Sequence, residues 1–517
     1  MTAARAAWLA AGAAALVYLP SLANGFALDD GTIVERNPAA HSVAAAAAAF
    51  DSSYWPVQNG AGQWRPLVIL SFGADWQLSG GSPVWLHAAN DLWHAAATGL
   101  LVLVLAPYVT AAAALAAGVV FAVHPVHVEA VANLVGRAEM MAACFLFLAL
   151  LAARNVRARR AVGRTTWPAE LGLLAVVAAA LLSKEHAALA VALLALDDLA
   201  LPRDGLGHLP WRDYAAVTAL TLAWFLVRRP IDGGASFAMI APTFFGLGAV
   251  GRISTMLPVA FVLVRLLVWP FDLYPDYGPQ LVPRLDHFTL LAAAGLALLL
   301  ACAALARLAW RRSRALAFGL CLIGVAWLPT SNLLFPTGVV IAERTLYLAS
   351  AGAAACAAAA FEWVTGRWGT GRAVAAAAVV VVAFAARTVT QIPVWRDNRS
   401  LVLWALQAHP ESYREHEAAA RALMRLGDLP AALEEYGYAV ELYPLDPYAL
   451  AEAAAAAVDA GRLPLARRYL VSAAAADHGM PAAERLTAAV GARLDSAVAA
   501  RPRRPLPTTS AGRGGER

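Results

Sequence analysis

Of the 517 residues, 60% are hydrophobic and only 15% are Asp, Glu, Lys or Arg, and the apolar ones gather in runs long enough to cross a bilayer, which excludes a purely soluble domain. The formal net charge of +5 does not indicate nucleic-acid binding, because the arginines stand largely in short clusters between apolar runs and in the tail, a pattern of membrane topology.

The first apolar run, 6–23, follows Arg5 and reads as an uncleaved span in preference to a signal peptide cut near "SLANG", because ten further runs follow. Those runs lie near 91–107, 109–123, 138–153, 169–183, 186–201, 214–228, 288–306, 314–330, 344–362 and 372–389. The expectation is an all-α polytopic body, 1–395, with about 11 transmembrane helices. With the N-terminus cytoplasmic, the basic loops 154–164, 202–212, 307–314 and 366–372 all fall on the cytoplasmic side. Segment 246–269 is apolar enough to span but carries Arg252 and Arg265, and counting it would put "RRSR" outside. An interfacial or re-entrant helix is preferred there, with twelve spans as the alternative. Cys144, Cys302, Cys321 and Cys356 lie inside apolar runs and give no metal or disulfide spacing.

On this topology a large first loop (24–90), "HPVHVEAVANLVGRAE" (124–139), "SKEH" (183–186), the stretch 229–287, the stretch 330–344 and everything after about residue 390 face outward. Near residue 395 the composition shifts to charged, helix-period sequence. "GDLPAALEEYGYAV" begins at Gly427 and "GRLPLARRYLVSAA" at Gly461, an offset of 461 − 427 = 34, the tetratricopeptide (TPR) period. Two clear units and a partial one around Ser412–Arg425 predict a short TPR-like α-solenoid over 400–500, the plainer alternative being an alanine-rich helical tail. The Pro-, Arg- and Gly-rich end, 501–517, is expected to be disordered.

Asp29 and Asp30 follow the first span directly, where an ionised carboxylate must be hydrated, paired or used. They read either as a helix cap at the water interface or as a base: a carboxylate within hydrogen-bond reach can take the proton of a hydroxyl that attacks an anomeric carbon. His124, His127 and Glu129 are spaced like metal ligands but form only a partial set, so no metal is predicted, although a divalent ion is conceivable; no cofactor is expected. Arg65, Arg137, Lys184 beside Glu185 and His186, and Arg344 all fall on the outer face. Together they would hold a leaving phosphate; singly each reads as an interface anchor. "REHEAAAR" lacks the second His of a zinc-protease helix, having Ala420 instead, and "LDD" at 196–198 reads as a span terminus on the cytoplasmic side.

"FALDD", "WRPL", "HAANDLWHAA", "FAVHPVHVEAVANLVGRAE", "SKEH", "LLVWPFDLYPDYG", "LPTSNLLFPTGVVIAERTLYLAS" and "WRDN", in this order and followed by repeats, resemble the transmembrane and TPR-repeat-containing O-mannosyltransferases and their bacterial relatives. The resemblance implies a multi-spanning GT-C glycosyltransferase fold, a polyprenyl-phosphate-linked sugar donor, mannose foremost, and transfer to a hydroxyl, a protein Ser or Thr, on the non-cytoplasmic side. It makes Asp29 and Asp30 the leading catalytic candidates and Arg65, His124, His127, Glu129, Arg137, Glu139, Lys184, Glu185, Arg344 and Tyr347 pocket residues. The repeats are few where the animal proteins have many. The alanine-rich composition suggests a high-GC bacterial chain, hence the inner membrane, with the repeats periplasmic and a protein acceptor or partner in their groove. A non-catalytic membrane-anchored TPR scaffold is the alternative; a lipid-linked sugar transporter is disfavoured because no internal span repeats are visible.

Overall fold

The computed structural model describes residues 1–55, 63–201, 210–231, 241–476 and 481–500; the expected disordered tail and residues 202–209 of one basic loop lie outside these. Among the described residues there is no strand. The longer helices of the first part are α1 (Ala3–Tyr18), α2 (Pro66–Ser79), α3 (Pro83–Leu105), α4 (Ala111–Ala122), α5 (Arg137–Ala161), α6 (Trp167–Leu181), α7 (Ala190–Ala200) and α8 (Trp211–Ile231). They continue with α9 (Ala249–Met256), α10 (Val259–Val268), α11 (Leu290–Ala309), α12 (Arg314–Trp327), α13 (Tyr347–Trp368), α14 (Thr370–Gln391) and α15 (Asn398–Ala408).

Every expected apolar run falls on helix, but fewer than eleven of these helices are of spanning length. Among the described residues seven are long and apolar enough to cross a membrane, or eight if the pair Ala111–Ala122 and Pro125–Ala132, bent by 50°, forms one span. Helix α6, with 15 residues, is only about 22 Å long, short of a hydrocarbon core of about 30 Å. Segment 246–269, expected to be apolar enough to span, forms α9 and α10 on either side of Pro258, which together are long and apolar enough for a span. Helix α3 starts at Pro83, inside the expected loop 24–90. Its early polar residues conceal the start of the helix in the sequence, because His87, Asn90, Asp91 and His94 are buried and partnered inside the bundle.

Small residues set the packing. A Cβ on Gly319 of α12 would lie 2.5 Å from the carbonyl oxygen of Gly352 on α13, and one on Gly352 would lie 2.5 Å from that of Gly319, so this crossing admits glycine only. Ala351, Ala354, Ala355 and Ala358 keep the same face of α13 flat and fully packed into the main core, which α1, α3, α4 and α5 also line.

Two compact units divide after Pro410, later than the composition shift near 395. Residues 396–410 belong with the helical body for a physical reason. The Arg396 carbonyl accepts from Gly25 N–H (2.8 Å), Asn398 Oδ1 from Leu28 N–H (2.6 Å), and His409 Nε2 lies 3.2 Å from the Leu273 carbonyl.

The second unit contains α16 (Tyr413–Leu426), α17 (Leu429–Leu442), α18 (Pro447–Asp459), α19 (Leu463–Ala476) and α20 (Pro481–Ala499). The starts of α16 and α18 are 447 − 413 = 34 residues apart, and those of α17 and α19 are 463 − 429 = 34 apart. The sequence repeat therefore marks the second helix of each pair, and the partial unit around Ser412–Arg425 is the first helix of the first pair. Gly427 (φ +79°) and Gly461 (φ +68°) turn the chain between paired helices in the left-handed region. Tyr436 and Tyr469 fill the space that Ala451, Ala454 and Ala466 leave between them.

Candidate functional site

The polar cluster gathers where α1, α4, α6 and α14 end and where α2, α5, α7 and α13 begin. The chain leaving α1 is pinned on two sides. Asn24 donates from Nδ2 to the Ile392 carbonyl (3.1 Å), and His87 Nε2 lies 3.0 Å from the Gly25 carbonyl. Leu28 then adopts φ +47°, a conformation that side chains other than glycine's rarely occupy, with its N–H held by Asn398. Strain of this kind persists only where surrounding bonds enforce it, and here it sets the direction of the next two residues.

Those two aspartates have different surroundings. Asp30 is fully buried; its Oδ2 accepts from Ala27 N–H (3.2 Å) and its Oδ1 from Val135 N–H (3.0 Å), so it joins the first loop to the turn before α5. Burial raises its pKa to about 7 against the pull of those N–H donors. Asp29 is half-buried, and its carboxylate accepts no hydrogen bond from any described residue, while its backbone carbonyl accepts from Thr32 and Ile33. Burial raises its pKa too, and the positive charges of Arg344 and Arg65 oppose that shift.

Three ion pairs belong to the same polar cluster, and the cations of two of them, Arg344 and Arg65, act on Asp29. Arg65 grips Glu185 through Nε (3.1 Å) and Nη2 (2.8 Å); burial would push the Glu185 carboxyl up, but Arg65 and Arg228 hold it down at about 2. Lys184 pairs with Glu139, and burial keeps its pKa below the ordinary lysine value. Arg344 pairs through Nη1 with Glu129, which also accepts from the Arg344 backbone N–H (2.8 Å). His186 Nδ1 lies 3.4 Å from Glu139 Oε2; burial lowers its pKa to about 4, leaving the ring neutral with Nε2 buried and unpartnered.

The other expected residues stand around this centre rather than in it. Arg137 is wholly enclosed, with Nε on Asn90 Oδ1 (2.7 Å), Nη1 on Asp75 and Ser71, and Nη2 on the Leu86 carbonyl (3.0 Å), its guanidinium 4.2 Å from the Phe72 ring centre. It binds α2, α3 and α5 together. His124 lies 3.2 Å from the Leu267 carbonyl and caps Val126 N–H; His127 meets Ser350 Oγ at 2.6 Å; and the Tyr347 hydroxyl meets His94 Nδ1 at 2.7 Å. These rings form one buried layer, the His127 and Tyr347 centroids 4.6 Å apart. Among the described residues no group of three or more His, Cys, Asp or Glu is arranged to hold a metal ion.

Several site residues escape the sequence reading: His87 and Asn398, which support the loop, His94, which meets the Tyr347 hydroxyl and the Ala122 carbonyl, and Tyr54, whose ring lies under the Arg65 guanidinium. Only "HAANDLWHAA" and "WRDN", as quoted motifs, signal the first three. The arrangement combines an unbonded carboxylate at a membrane boundary with cations that still have free N–H donors, which suits proton removal next to a departing anion.

The protein is thus a polytopic helical membrane protein with a polar site at one set of helix ends. It is similar to protein O-mannosyl-transferases. Identity is 32% over 280 residues with protein O-mannosyl-transferase Tmtc2 of Drosophila melanogaster (52% of this chain, 30% of the relative). It is 28% over 435 residues with TMTC4 of Homo sapiens (72% and 57%) and 28% over 502 residues with TMTC1 of Homo sapiens (86% and 56%). The chain spans between 30% and 57% of the length of these three curated relatives. No family model and no solved structure matches it.

Proposed function

We propose that the chain is an inverting membrane glycosyltransferase that moves mannose from a polyprenyl-phosphate-linked donor to a hydroxyl acceptor, a Ser or Thr of a protein, on the non-cytoplasmic face of a bacterial inner membrane. The observation that carries this reading is the unbonded Asp29 carboxylate next to the charges of Arg344 and Arg65. The acceptor oxygen forms a bond to the anomeric carbon as the bond from that carbon to the phosphate oxygen breaks. The acceptor proton goes to Asp29, and the electron pair leaves with the lipid phosphate.

Arg344 and Lys184 stabilise that departing charge. Each has one donor on a carboxylate and keeps others for the ligand. Arg65 and Glu185 frame the donor side, while Arg137, His124, His127 and Tyr347 hold the walls. The helix pairs beyond Pro410 dock the protein acceptor or a partner in their groove. Support for the substrate class comes from the relatives, which are named protein O-mannosyl-transferases.

The test is transfer of radiolabelled mannose from polyprenyl-phosphate mannose by the purified full chain in nanodiscs, with peptide acceptors. Turnover that Asp29→Asn abolishes upholds the reading. A folded wild type inactive with this donor and with a panel of other polyprenyl-linked sugars overturns it and favours the non-catalytic scaffold.

A further inference from the structure

Asp29 lies inside a tight turn, residues 27–30, that the Asp30 N–H closes on the Ala27 carbonyl (3.1 Å) and that the Ala27 N–H braces by donating to Asp30 Oδ2 (3.2 Å). Leu28 is the second residue of this turn and has φ +47°. Turns with a positive φ at that position are normally built on glycine, because the Cβ of any other residue crowds the backbone there. Leucine gains little packing to offset the cost, since Leu28 is 40% exposed. The turn that carries the carboxylate therefore does not hold its shape on local preference alone.

The restraint comes from the far end of the helical body. The Leu28 N–H takes no part in closing the turn and donates instead to Asn398 Oδ1 at 2.6 Å, an acceptor 370 residues along the chain. Asn398 is fixed independently of the turn. It stands at the start of α15, where Asp397 Oδ1 accepts from the Ser400 N–H (2.7 Å), and the Arg396 carbonyl beside it accepts from the Gly25 N–H (2.8 Å). All these residues belong to the first compact unit, so the acceptor is a fixed point against which the turn is set. Without that bond a leucine relaxes toward ordinary negative φ, which rotates the residue that follows it.

We propose that Asn398 is a positioning residue for the transfer reaction: by accepting the Leu28 N–H it holds the turn in its left-handed conformation and keeps the Asp29 carboxylate aimed at the acceptor hydroxyl. The proposal rests on the glycosyltransferase reading, in which Asp29 is the base. Asn398 acts through Leu28 and not on the substrates. The segment directly after the last span is then part of the catalytic apparatus as well as the connection to the repeats. The strain at Leu28 makes the role specific, because a leucine needs the restraint and a glycine does not.

The test is a double-mutant cycle of Asn398→Ala and Leu28→Gly on the full chain in nanodiscs, with citronellyl phosphate mannose as donor and a peptide acceptor. Donor binding and kcat per folded molecule are measured for all four proteins. With Leu28 present, Asn398→Ala should lower kcat by about 5- to 30-fold, the population lost when a left-handed leucine loses its restraint. Donor binding should stay unchanged, because the lipid phosphate lies with Arg344 and Lys184. In the Leu28→Gly background the same substitution should cost only about 2-fold, since glycine adopts either sign of φ about equally. An equal loss in both backgrounds, a loss carried by donor binding, an unchanged kcat, or loss of folded protein in both backgrounds overturns the proposal and leaves the glycosyltransferase reading in place. A folded wild type that turns over neither this donor nor other polyprenyl-linked sugars overturns both.

Discussion

Asp29 and Asp30 are adjacent and chemically identical, yet their contacts predict opposite consequences for the same substitution. Asp30→Asn retains one carbonyl acceptor but turns an NH2 group toward either the Ala27 or the Val135 N–H, leaving a buried donor unpaired. The expected cost is about 1–3 kcal/mol. Asp29→Asn breaks no hydrogen bond and alters a half-buried side chain, so stability should stay within about 0.5 kcal/mol. Turnover should fall by about 10²- to 10⁴-fold, the range for losing a general base. The assay pairs melting in detergent, followed by intrinsic tryptophan fluorescence, with single-turnover mannose transfer on the same preparations. The expected pattern is a crossed one: Asp30→Asn melts earlier and keeps part of its turnover, while Asp29→Asn melts like wild type and turns over almost nothing. Equal destabilisation by both, or an active Asp29→Asn, refutes the assignment of base and brace.

Because the Asp30 pKa is raised from the ordinary carboxylate value to about 7, the folded state holds a proton there that the unfolded chain releases. Its contribution to stability is fully present at low pH and is lost as pH rises from about 4 through about 7. The melting difference between wild type and Asp30→Asn should change across that window and nowhere else. The acid limb of the kcat/KM profile should lie above the ordinary aspartate range, since burial raises Asp29; Arg344→Gln should move it further up by removing a charge that lowers that pKa. Truncation after Pro410 should leave melting of the helical body and binding of the donor lipid unchanged, whereas truncation after Val394 removes the supports of Gly25 and Leu28 and should reduce turnover to the level of Asp29→Asn.

The helical character, the 34-residue repeat and most residues around the site are legible in the sequence, because apolar runs, Gly-turn spacing and polar residues flanking spans are local signals. The pairings are not legible. Glu185 lies 120 residues from Arg65 and Glu129 lies 215 from Arg344, so only the folded chain reveals which carboxylate answers which cation. The same holds for the two aspartates, which differ through a backbone N–H 105 residues away. The histidine spacing is real, but the turn at Pro125 sends His124 to the Leu267 carbonyl and His127 to Ser350. Tyr54 gives no sequence signal, being one aromatic residue in a loop.

Burial within each ion pair separates cations that face a ligand from those that hold the fold. At Arg344–Glu129 the side chains are 25% and 1% exposed, and at Lys184–Glu139 they are 12% and 1%. In both, the fixed carboxylate is inside and the cation leans outward with donors to spare. At Arg137–Asp75 the order reverses, 0% against 18%, and the three guanidinium nitrogens are all engaged. A lysine offers one nitrogen in place of that planar set, so Arg137→Lys should strand Asn90 or Asp75 and cost about 3–5 kcal/mol, visible as lost folded yield. Arg344→Lys keeps a cation for Glu129 and for the phosphate. It should fold normally and lose turnover in proportion to one missing bidentate bond, about 10-fold, with the loss in kcat because the phosphate charge develops in the transition state. If Arg344→Lys fails to fold while Arg137→Lys is stable and inactive, the inward and outward assignments of these two arginines are reversed.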